Sequence, residues 1–227
     1  MDSIPAIVQA RMASTRLPGK MLRRVRGTPI LQFVIERLRH CHAIAEIVVA
    51  TSVDPSDDAI ADFCRVIDVR CVRGSGEDVA ARFGQVLDGS GFDCFARICG
   101  DRPLLDPALL SRGLALYGPD VDVVTNVQPR TFPPGQTVEI VRTEAFTDAC
   151  LRMQDAQDRE HVTRYFYQHS AGYRIVNFGA DAPFDDVHMA IDTEADFLRF
   201  AAIVERMDRP HWCYGLSEIV DLYRRAV

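Results

Sequence analysis

The chain has 227 residues, of which 48% are hydrophobic and 26% charged, and its formal net charge is −6. These proportions are ordinary for a globular protein, and the acidic balance argues against bulk nucleic-acid binding, which usually requires a basic domain. No stretch approaches the roughly 20 apolar residues that span a membrane. No signal-peptide pattern opens the chain, and seven scattered cysteines without a C-x-x-C pair favour reduced thiols, so we expect a cytoplasmic protein.

Short apolar runs alternate with amphipathic stretches through the first half of the chain. Strands are predicted at 4–10, 46–51, 67–72, 92–99 and 121–125. Helices are predicted after Thr28 and Pro29, which suit an N-cap and a first helical position, and at 55–66, 77–87 and 107–116. Because buried strands that alternate with helices form parallel sheets covered on both faces, the pattern predicts a mostly parallel, doubly wound, Rossmann-like α/β fold with ligands at the carboxyl ends of its strands.

The alternation is interrupted after Asn126. The sequence predicts a loop with a strand or hairpin at 127–141, a helix at 158–169, a strand at 173–178, and then a returning strand at 188–192 and helix at 193–207. We therefore expect one domain over 1–227, in which a β-rich and helical arm at 127–187 is inserted as a substrate lid, a dimer contact or both.

Lys20 is the only lysine among 26 basic residues. It lies in a segment, 3–35, that carries five arginines and no acidic residue. This basic loop follows the first predicted strand, where α/β proteins bind nucleotides, and a local positive field concentrates anions. A solvated basic surface would show the same composition.

Two familiar phosphate motifs do not fit. The basic loop lacks the first glycine of a P-loop, and Met21 follows its lysine where Ser or Thr is required. The stretch 74–79 imitates a dinucleotide fingerprint, but Val79 replaces the third glycine and the stretch follows the third strand. We therefore expect no dinucleotide site.

Instead, the basic loop resembles the signature of the cytidylyltransferases that activate nonulosonic acids and Kdo (acylneuraminate/Kdo cytidylyltransferase-like), especially the SpsF-like branch. The motifs, in order, are QARMASTRLPGKML at 9–22, RGSGEDV at 73–79, RICGDRPLLDP at 97–107, TN at 125–126, RTFPPG at 130–135, VE at 138–139, REHVT at 159–163 and IDTEAD at 191–196. The resemblance covers most of the chain. It implies a fold of the nucleotide-diphospho-sugar transferase type, CTP and a sugar-acid acceptor as substrates, pyrophosphate release and a homodimer.

The resemblance also implies residue roles at the nucleotide end. Arg11, Ser14, Arg16 and Lys20 would hold the β- and γ-phosphates, with Ala10 beside them. Arg11, Lys20 and Asp101 would be the catalytic residues. Arginine can grip a phosphate bidentately, and the lysine ammonium can follow charge onto the departing pyrophosphate.

Asp101 and Asp192 are candidate Mg²⁺ ligands. Each is expected to follow a strand, so both would project from the same edge of the sheet. Mg²⁺ takes one or two carboxylates together with phosphate oxygens. Aspartate is also a favoured N-cap, but Asp106 and Thr193 are the better caps for the helices that follow.

The loops after the second and third strands carry the candidates for base recognition, namely Thr51, Arg73, Gly74, Ser75 and Asp78. A structural alternative is open for two of them: Ser75 could cap the next helix, with Asp78 in its first turn. Nothing in the residues themselves separates cytosine from other bases, so the CTP prediction rests on the resemblance.

The resemblance also implies candidates for binding the acceptor, which lie in and near the inserted arm: Arg102, Asn126, Arg130, Thr131, Glu139, Arg159, Glu160 and His161. Arginine suits a substrate carboxylate. His161 could equally be a helix residue in a structural hydrogen bond. The arm departs from the family pattern, because relatives often read Y-P-D-G-L-D-V-E where this chain has Pro134 and Thr137 in place of two acids. Arg102 stands where relatives often carry a small residue or cysteine.

Two other functions remain open at this point. A nucleotide-sugar-dependent glycosyltransferase would carry a D-x-D metal motif, and the only one here is Asp120 to Asp122 at the start of a predicted strand. A non-catalytic nucleotide- or sugar-binding relative would keep the basic loop without releasing pyrophosphate.

Overall fold

The computed structural model describes residues 3–181, 184 and 186–226. Its strands are β1 (Ile4–Gln9), β2 (Arg24–Val25), β3 (Thr28–Pro29), β4 (Ile44–Ser52), β5 (Arg70–Gly74), β6 (Cys94–Cys99), β7 (Val123–Thr125), β8 (Glu139–Arg142) and β9 (Ile175–Asn177). Its α-helices are α1 (Ile30–Arg39), α2 (Asp58–Val66), α3 (Val79–Leu87), α4 (Pro107–Ala115), α5 (Thr143–Arg152), α6 (Ala156–Glu160), α7 (Arg164–Gln168), α8 (Glu194–Glu205) and α9 (Leu216–Ala226). Among these residues no helix is both long and apolar enough to cross a membrane.

The central sheet has the strand order β5-β4-β1-β6-β8-β7-β9. The pairs β1–β4, β1–β6, β4–β5 and β7–β9 are parallel, and β8 is antiparallel to both of its neighbours. The carboxyl ends of β5, β4, β1 and β6 therefore meet at one edge of the sheet. This arrangement confirms the predicted mostly parallel α/β fold.

Alternating side chains of β1 enter different hydrophobic clusters. Ala6 and Val8 pack in a cluster with residues of α1, α2 and α4, and Ile7 packs on the other side with residues of α3 and α5. This follows from the two-residue period of a strand. A third cluster joins Leu17 of the basic loop to α8 and α9, so the loop is held by apolar packing as well as by hydrogen bonds.

The prediction that Thr28 caps the first helix was wrong. Thr28 and Pro29 pair with β2 in a two-residue ribbon, and Pro29 itself occupies the N-cap position with an extended backbone. Arg26 and Gly27 join the two strands with φ of 50° and 81°, the positive values that tight hairpin turns require. The hairpin therefore delays the helix to Ile30.

The returning strand predicted at 188–192 is also absent from the described sheet. The chain there is irregular, although Ile191 donates its N–H to the Asp101 carbonyl at 3.0 Å. Asp192 thus reaches the edge of the sheet from a loop and not from a strand end. Thr193, the residue after Asp192, is held in place by the capping box of α8, in which Thr193 and Asp196 bond reciprocally.

The stretch 127–187 supplies β8 and β9 to the central sheet and α5 to its face, while residues 182, 183 and 185 lie outside the described part. The helix predicted at 158–169 is divided into α6 and α7 around His161 to Thr163, where Val162 has φ of 20°. A β-branched residue is disfavoured at positive φ. Val162 is fully buried, so packing holds this break, which turns His161 away from a regular helix.

Candidate active site

A cavity of about 300 Å³ lies at the carboxyl ends of β1 and β6. Its walls are the basic loop, the turn at Gly100, the first turn of α3, the end of α6 and the irregular segment before α8. Nine of the predicted site residues line it, namely Ala10, Arg11, Ser14, Arg16, Lys20, Asp101, Glu160, His161 and Asp192. We call it the nucleotide cavity, after the nucleotide-binding candidates among them. A Cβ on Gly100 would lie 3.1 Å from the Gln9 carbonyl oxygen, so the turn packs directly against the end of β1.

The basic loop is pinned to the neighbouring strand by Asp57, which sequence reasoning missed. Asp57 is 1% exposed. Its Oδ1 accepts the Met12 N–H at 2.6 Å, and its Oδ2 accepts the Ser52 N–H at 3.1 Å. At the other end of the loop Gly19 adopts φ of 70° and donates its N–H to the Met12 carbonyl at 3.0 Å. These contacts fix the loop at the end of β1.

Lys20 binds both predicted metal-ligand aspartates. It is 6% exposed, and its Nζ donates to Asp101 Oδ2 at 2.8 Å and to the Ile191 carbonyl at 2.6 Å, with Asp192 Oδ1 at 3.5 Å. Arg16 lies 3.0 Å from Asp192. The structure therefore brings together carboxylates that are 91 positions apart in the sequence, around the single lysine.

The carboxylate pair fits a divalent cation only in part. Asp101 and Asp192 keep 25% and 29% of their side chains exposed, so both can accept a further ligand. No group of three or more histidine, cysteine or carboxylate side chains in the described chain could enclose a metal ion. Two carboxylates fit Mg²⁺ when phosphate oxygens complete its shell.

Arg11 is paired with Glu160 at 2.6 Å, and both side chains are partly exposed. Surface pairs of this kind contribute little stability. Glu160 was predicted as an acceptor ligand, but here it contacts the nucleotide cavity and partly neutralises one of the phosphate-binding candidates.

The candidates for base recognition do not line the nucleotide cavity. Thr51 is fully buried. Arg73 is engaged with the Ser52 and Asp54 carbonyls at 2.9 and 3.1 Å. Gly74 lies against the side chains of Arg82 and Gln85 on α3, which leave no room for a Cβ.

The remaining two base candidates have structural hydrogen bonds. Asp78 is the N-cap of α3, with its Oδ1 accepting the Ala81 N–H at 2.8 Å, and its Oδ2 accepts from Arg159 at 2.7 Å. Ser75 Oγ accepts the Asp78 N–H at 3.0 Å. The capping interpretation thus holds with Asp78, not Ser75, as the cap.

A second cavity, of about 340 Å³, lies beyond β6 next to β8 and β7. We call it the acceptor cavity. It brings together four of the acceptor candidates, Arg102, Arg130, Glu139 and His161. Arg97, Thr163, Arg164 and Tyr167 also line it and were not predicted. His161 lines both cavities, so they meet at this residue.

Glu139 forms the centre of a buried network under the acceptor cavity. Its Oε2 accepts from Arg97 at 2.7 Å, and its Oε1 accepts from Thr163 at 2.7 Å and Tyr167 at 2.6 Å. Burial alone would raise the pKa of Glu139, but the charges of Arg97 and Arg102 outweigh it and lower that pKa to about 2. Burial and the charge of Glu139 raise the pKa of Tyr167.

Arg102 and Arg130 differ from the other arginines of this cavity. Arg97 pairs with Glu139, and Arg164 pairs with two aspartates of α6 and its cap. Arg130 donates to Thr137 Oγ1 at 3.2 Å and pairs with no carboxylate in the described chain, and Arg102 Nη1 is buried without a hydrogen-bond partner there. Burial lowers the pKa of Arg130, and the charge of Arg102 lowers it further. The cavity thus holds two neighbouring arginines that form no salt bridge with a carboxylate of the described residues, although the charge of Glu139 acts on both.

Three acceptor candidates have structural contacts outside this cavity. Asn126 donates to the Gln136 carbonyl at 2.7 Å and accepts the Val138 N–H at 2.9 Å. Thr131 Oγ1 accepts the Ala180 N–H at 2.8 Å. Arg159 pairs with the α3 cap at Asp78. They shape the loops around the cavities.

The two departures from the family pattern have distinct surroundings. Thr137 is the hydroxyl that Arg130 contacts, and the Pro134 carbonyl accepts the Met189 N–H at 2.7 Å. The D-x-D sequence lies just before β7, at the opposite edge of the sheet from the nucleotide cavity, with Asp122 near Arg142 at 3.4 Å. That position disfavours a glycosyltransferase metal motif.

Of the residues that were missed, Arg97 could have been identified from the sequence, because a charged residue inside a buried strand requires a partner. Asp57 could not have been identified in this way, since it accepts a hydrogen bond from the basic loop, which comes from a distant part of the chain.

Comparisons with known proteins agree with this geometry. The cytidylyltransferase family matches residues 5–226. The spore coat polysaccharide biosynthesis protein SpsF of Bacillus subtilis (strain 168) is 32% identical, covering 99% of this chain and 95% of that protein.

Two solved structures have the same fold. A cytidylyltransferase from Leptospira borgpetersenii has a TM-score of 0.93 at 24% identity, covering 99% of this chain and 95% of that one. A CMP:2-keto-3-deoxy-manno-octonic acid synthetase complexed with CTP has a TM-score of 0.65 at 20% identity, covering 90% and 99%. The matches span nearly the whole chain, which therefore belongs to the cytidylyltransferase family of nucleotidyltransferases.

Proposed function

We propose that this enzyme transfers CMP from CTP to a sugar acid of the nonulosonic type and releases pyrophosphate, in the biosynthesis of a surface polysaccharide or glycoconjugate. The observation that carries the proposal is the junction of the two cavities at His161. One cavity has a basic loop and two carboxylates, and the other has two arginines without a carboxylate partner among the described residues. This is the arrangement that an anionic donor and an anionic acceptor require.

At the nucleotide end, Arg11, Ser14, Arg16 and Lys20 would hold the β- and γ-phosphates. In the reaction the acceptor hydroxyl oxygen bonds to the α-phosphorus, the bond to the bridging oxygen breaks, and the electron pair leaves with pyrophosphate. The hydroxyl proton passes to solvent. Most of the acceleration in such a transfer comes from positioning and charge stabilisation, and Lys20 can move its charge from Asp101 to the departing phosphates.

Asp101 and Asp192 are the residues that would hold Mg²⁺. When bound, Mg²⁺ supplies positive charge that offsets the charge of the phosphates. The two carboxylate charges are balanced in the structure by Lys20, whose Nζ lies 2.8 Å from Asp101, and by Arg16, which lies 3.0 Å from Asp192. The donor set of two carboxylates supports a cation that arrives with the nucleotide.

At the acceptor end, Arg102 and Arg130 would bind the carboxylate of the sugar acid, because guanidinium groups form strong charge-assisted hydrogen bonds with carboxylates. Glu139 would act from below by holding Arg97, Thr163 and Tyr167 in place. His161 would contact the acceptor at the junction. We further propose that the enzyme is a homodimer, as the resemblance implies, and that it is cytoplasmic, as the scattered cysteines without a C-x-x-C pair favour.

The test is pyrophosphate release with Mg²⁺, using each of the four nucleoside triphosphates against nonulosonic acids, Kdo and common sugar phosphates. The proposal expects release with CTP and one sugar acid, and none from Asp101→Asn. Binding of CTP without release across the whole panel would favour a non-catalytic nucleotide-binding relative. Pyrophosphate release with a sugar phosphate, and with none of the sugar acids, would show that the acceptor is a sugar phosphate and not a sugar acid.

A further inference from the structure

Gln9 is the last residue of β1, and its half-buried side chain lines the nucleotide cavity. Its Oε1 accepts two hydrogen bonds from Arg97, from Nε at 3.1 Å and from Nη2 at 2.9 Å. The register of the parallel pair places Arg97 of β6 opposite Ile7, which lies on the same face of β1 as Gln9. Gln9 opens the motif at 9–22, but the resemblance implied no role for it.

The contact with Arg97 determines which end of the Gln9 amide is free. A guanidinium group only donates hydrogen bonds, so the amide oxygen must face it. The Nε2 group then points away from Arg97. It is neither bonded to a group of the described residues nor sealed in the interior. Gln9 therefore presents an amide donor to the nucleotide cavity.

Arg97 is itself held rigidly from below. Its Nη1 donates to Glu139 Oε2 at 2.7 Å, and the other oxygen of that carboxylate accepts from Thr163 and Tyr167. Every nitrogen of this guanidinium therefore has a partner, and Arg97 and Glu139 are only 7% and 2% exposed. A fixed positive charge against Oε1 also polarises the amide, which strengthens its N–H groups as donors. The Gln9 amide is thus preorganised before a substrate binds.

The amide lies on the side of the nucleotide cavity that faces the acceptor cavity. Gln9 lines the first cavity and Arg97 lines the second, so a single guanidinium separates them at this point. Arg82 lies on a different wall, in α3, where it donates to the Ser75 carbonyl. Under the proposed function the α-phosphate must lie at the boundary between the cavities, because the acceptor hydroxyl attacks it there.

We propose that Gln9 donates from Nε2 to a non-bridging oxygen of the α-phosphate of CTP and holds that phosphate in line with the acceptor hydroxyl. This rests on the proposed function, which assigns the basic loop to the β- and γ-phosphates and leaves the α-phosphate without a donor from the protein. The non-bridging oxygens carry the charge of the group in transfer, and fixed donors stabilise such charge. The bonds that form and break stay the same.

The experiment measures, by calorimetry with Mg²⁺, the binding of CTP and of the two diastereomers of its α-phosphorothioate. In each diastereomer sulfur, a weak acceptor, replaces a different non-bridging oxygen. Gln9→Leu is expected to weaken CTP binding about 10- to 100-fold, the range for a hydrogen bond to a charged group. It should weaken one diastereomer to the same extent and leave the other unchanged, because there the sulfur already faces the amide. Gln154→Leu, at an exposed glutamine, is the matched control and should bind all three ligands like the wild type.

Two results would overturn the inference. Equal losses for CTP and both diastereomers would mean that Gln9 only shapes the cavity, and an unchanged affinity for CTP would show that it makes no contact. If Gln9→Leu does not fold, Gln9→Glu takes its place, since a carboxylate still accepts from Arg97 and only the donor is lost. Gln9→Glu should weaken CTP binding and leave the binding of cytidine, which has no phosphate, unchanged. CTP affinity at the wild-type level in this variant would also contradict the inference.

The wild type separates this inference from the proposed function. A wild-type protein that binds no CTP would refute the proposed function. Wild-type binding of CTP together with an unaffected Gln9→Leu would refute only the role of Gln9.

Discussion

Lys20 Nζ lies 2.8 Å from Asp101 Oδ2, although the two residues are 81 positions apart in the chain. The lysine comes from the basic loop after β1 and the aspartate from the turn after the adjacent parallel strand β6. Because the ammonium also contacts the Ile191 carbonyl at 2.6 Å, one side chain joins three segments at the edge of the sheet. Removal of its charge should therefore affect both the arrangement of the carboxylates and the chemistry.

We expect Lys20→Met to fold and to lose at least about 100-fold in turnover, the range for removal of one group that stabilises developing charge. Lys20→Arg should recover little, because a rigid planar fork cannot replace a point charge between two carboxylates. Steady-state kinetics with CTP and far-ultraviolet circular dichroism give the two readouts. Turnover at the wild-type rate in Lys20→Met would show that the lysine has no role in the mechanism.

Asp57 should control the position of the basic loop without touching the substrate. Asp57→Asn places an amide where two backbone N–H donors point, so we expect a loss of about 1–3 kcal/mol in the free energy of unfolding and a raised KM for CTP. Urea denaturation and kinetics measure these effects. Asp58→Asn, at an exposed side chain near Arg73, is the matched control. A stability loss in Asp57→Asn with an unchanged KM would show that Met12 does not need this anchor.

The overall fold was predictable because its cause is local. Each buried run such as EIVVAT before Ser52 reads as a strand from its own residues, and the carboxyl-end rule then brings Lys20 close to Asp101. The antiparallel position of β8 was not predictable in the same way, since its place between β6 and β7 depends on pairing between distant segments.

Site residues could be predicted where the chemistry requires a particular residue type. They could not be predicted where the role of a residue depends on which groups lie beside it in the folded chain. A lone lysine in a basic loop is visible in sequence. The partners of Arg82 and Asp57 are backbone groups from other elements, and no residue type marks a backbone group. Arg73 shows the converse, because its motif suggested a ligand while its hydrogen bonds are structural.

Glu139 should make stability depend on acid pH. Its folded pKa of about 2 is below the ordinary value of 4.5, so its contribution is fully present above about pH 4.5 and is lost as the pH falls toward 2. The difference corresponds to about 3 kcal/mol. Urea unfolding at pH 5, 4 and 3 should show this loss in the wild type.

Glu139→Gln should remove most of that pH dependence and should be less stable than the wild type at pH 7, because Arg97 is left buried without its carboxylate. Glu205→Gln, at an exposed carboxylate, should keep the wild-type profile. Parallel profiles for the wild type and Glu139→Gln would mean that other groups cause the acid sensitivity.

Arg102 and Arg130 should govern the affinity for the acceptor and leave the affinity for CTP unchanged. Each lacks a carboxylate partner in the described chain, and the charge of Arg102 lowers the pKa of Arg130, so the pair gains most when an anion binds between them. Replacement of either by glutamine should raise the KM for the sugar acid about 10- to 100-fold, as expected for a lost charge-assisted hydrogen bond. Arg174→Gln, whose exposed guanidinium lies 3.2 Å from Asp120 on the opposite edge, should change neither constant. An increase confined to the KM for CTP would instead place both arginines with the nucleotide and leave the acceptor cavity without its anion-binding groups.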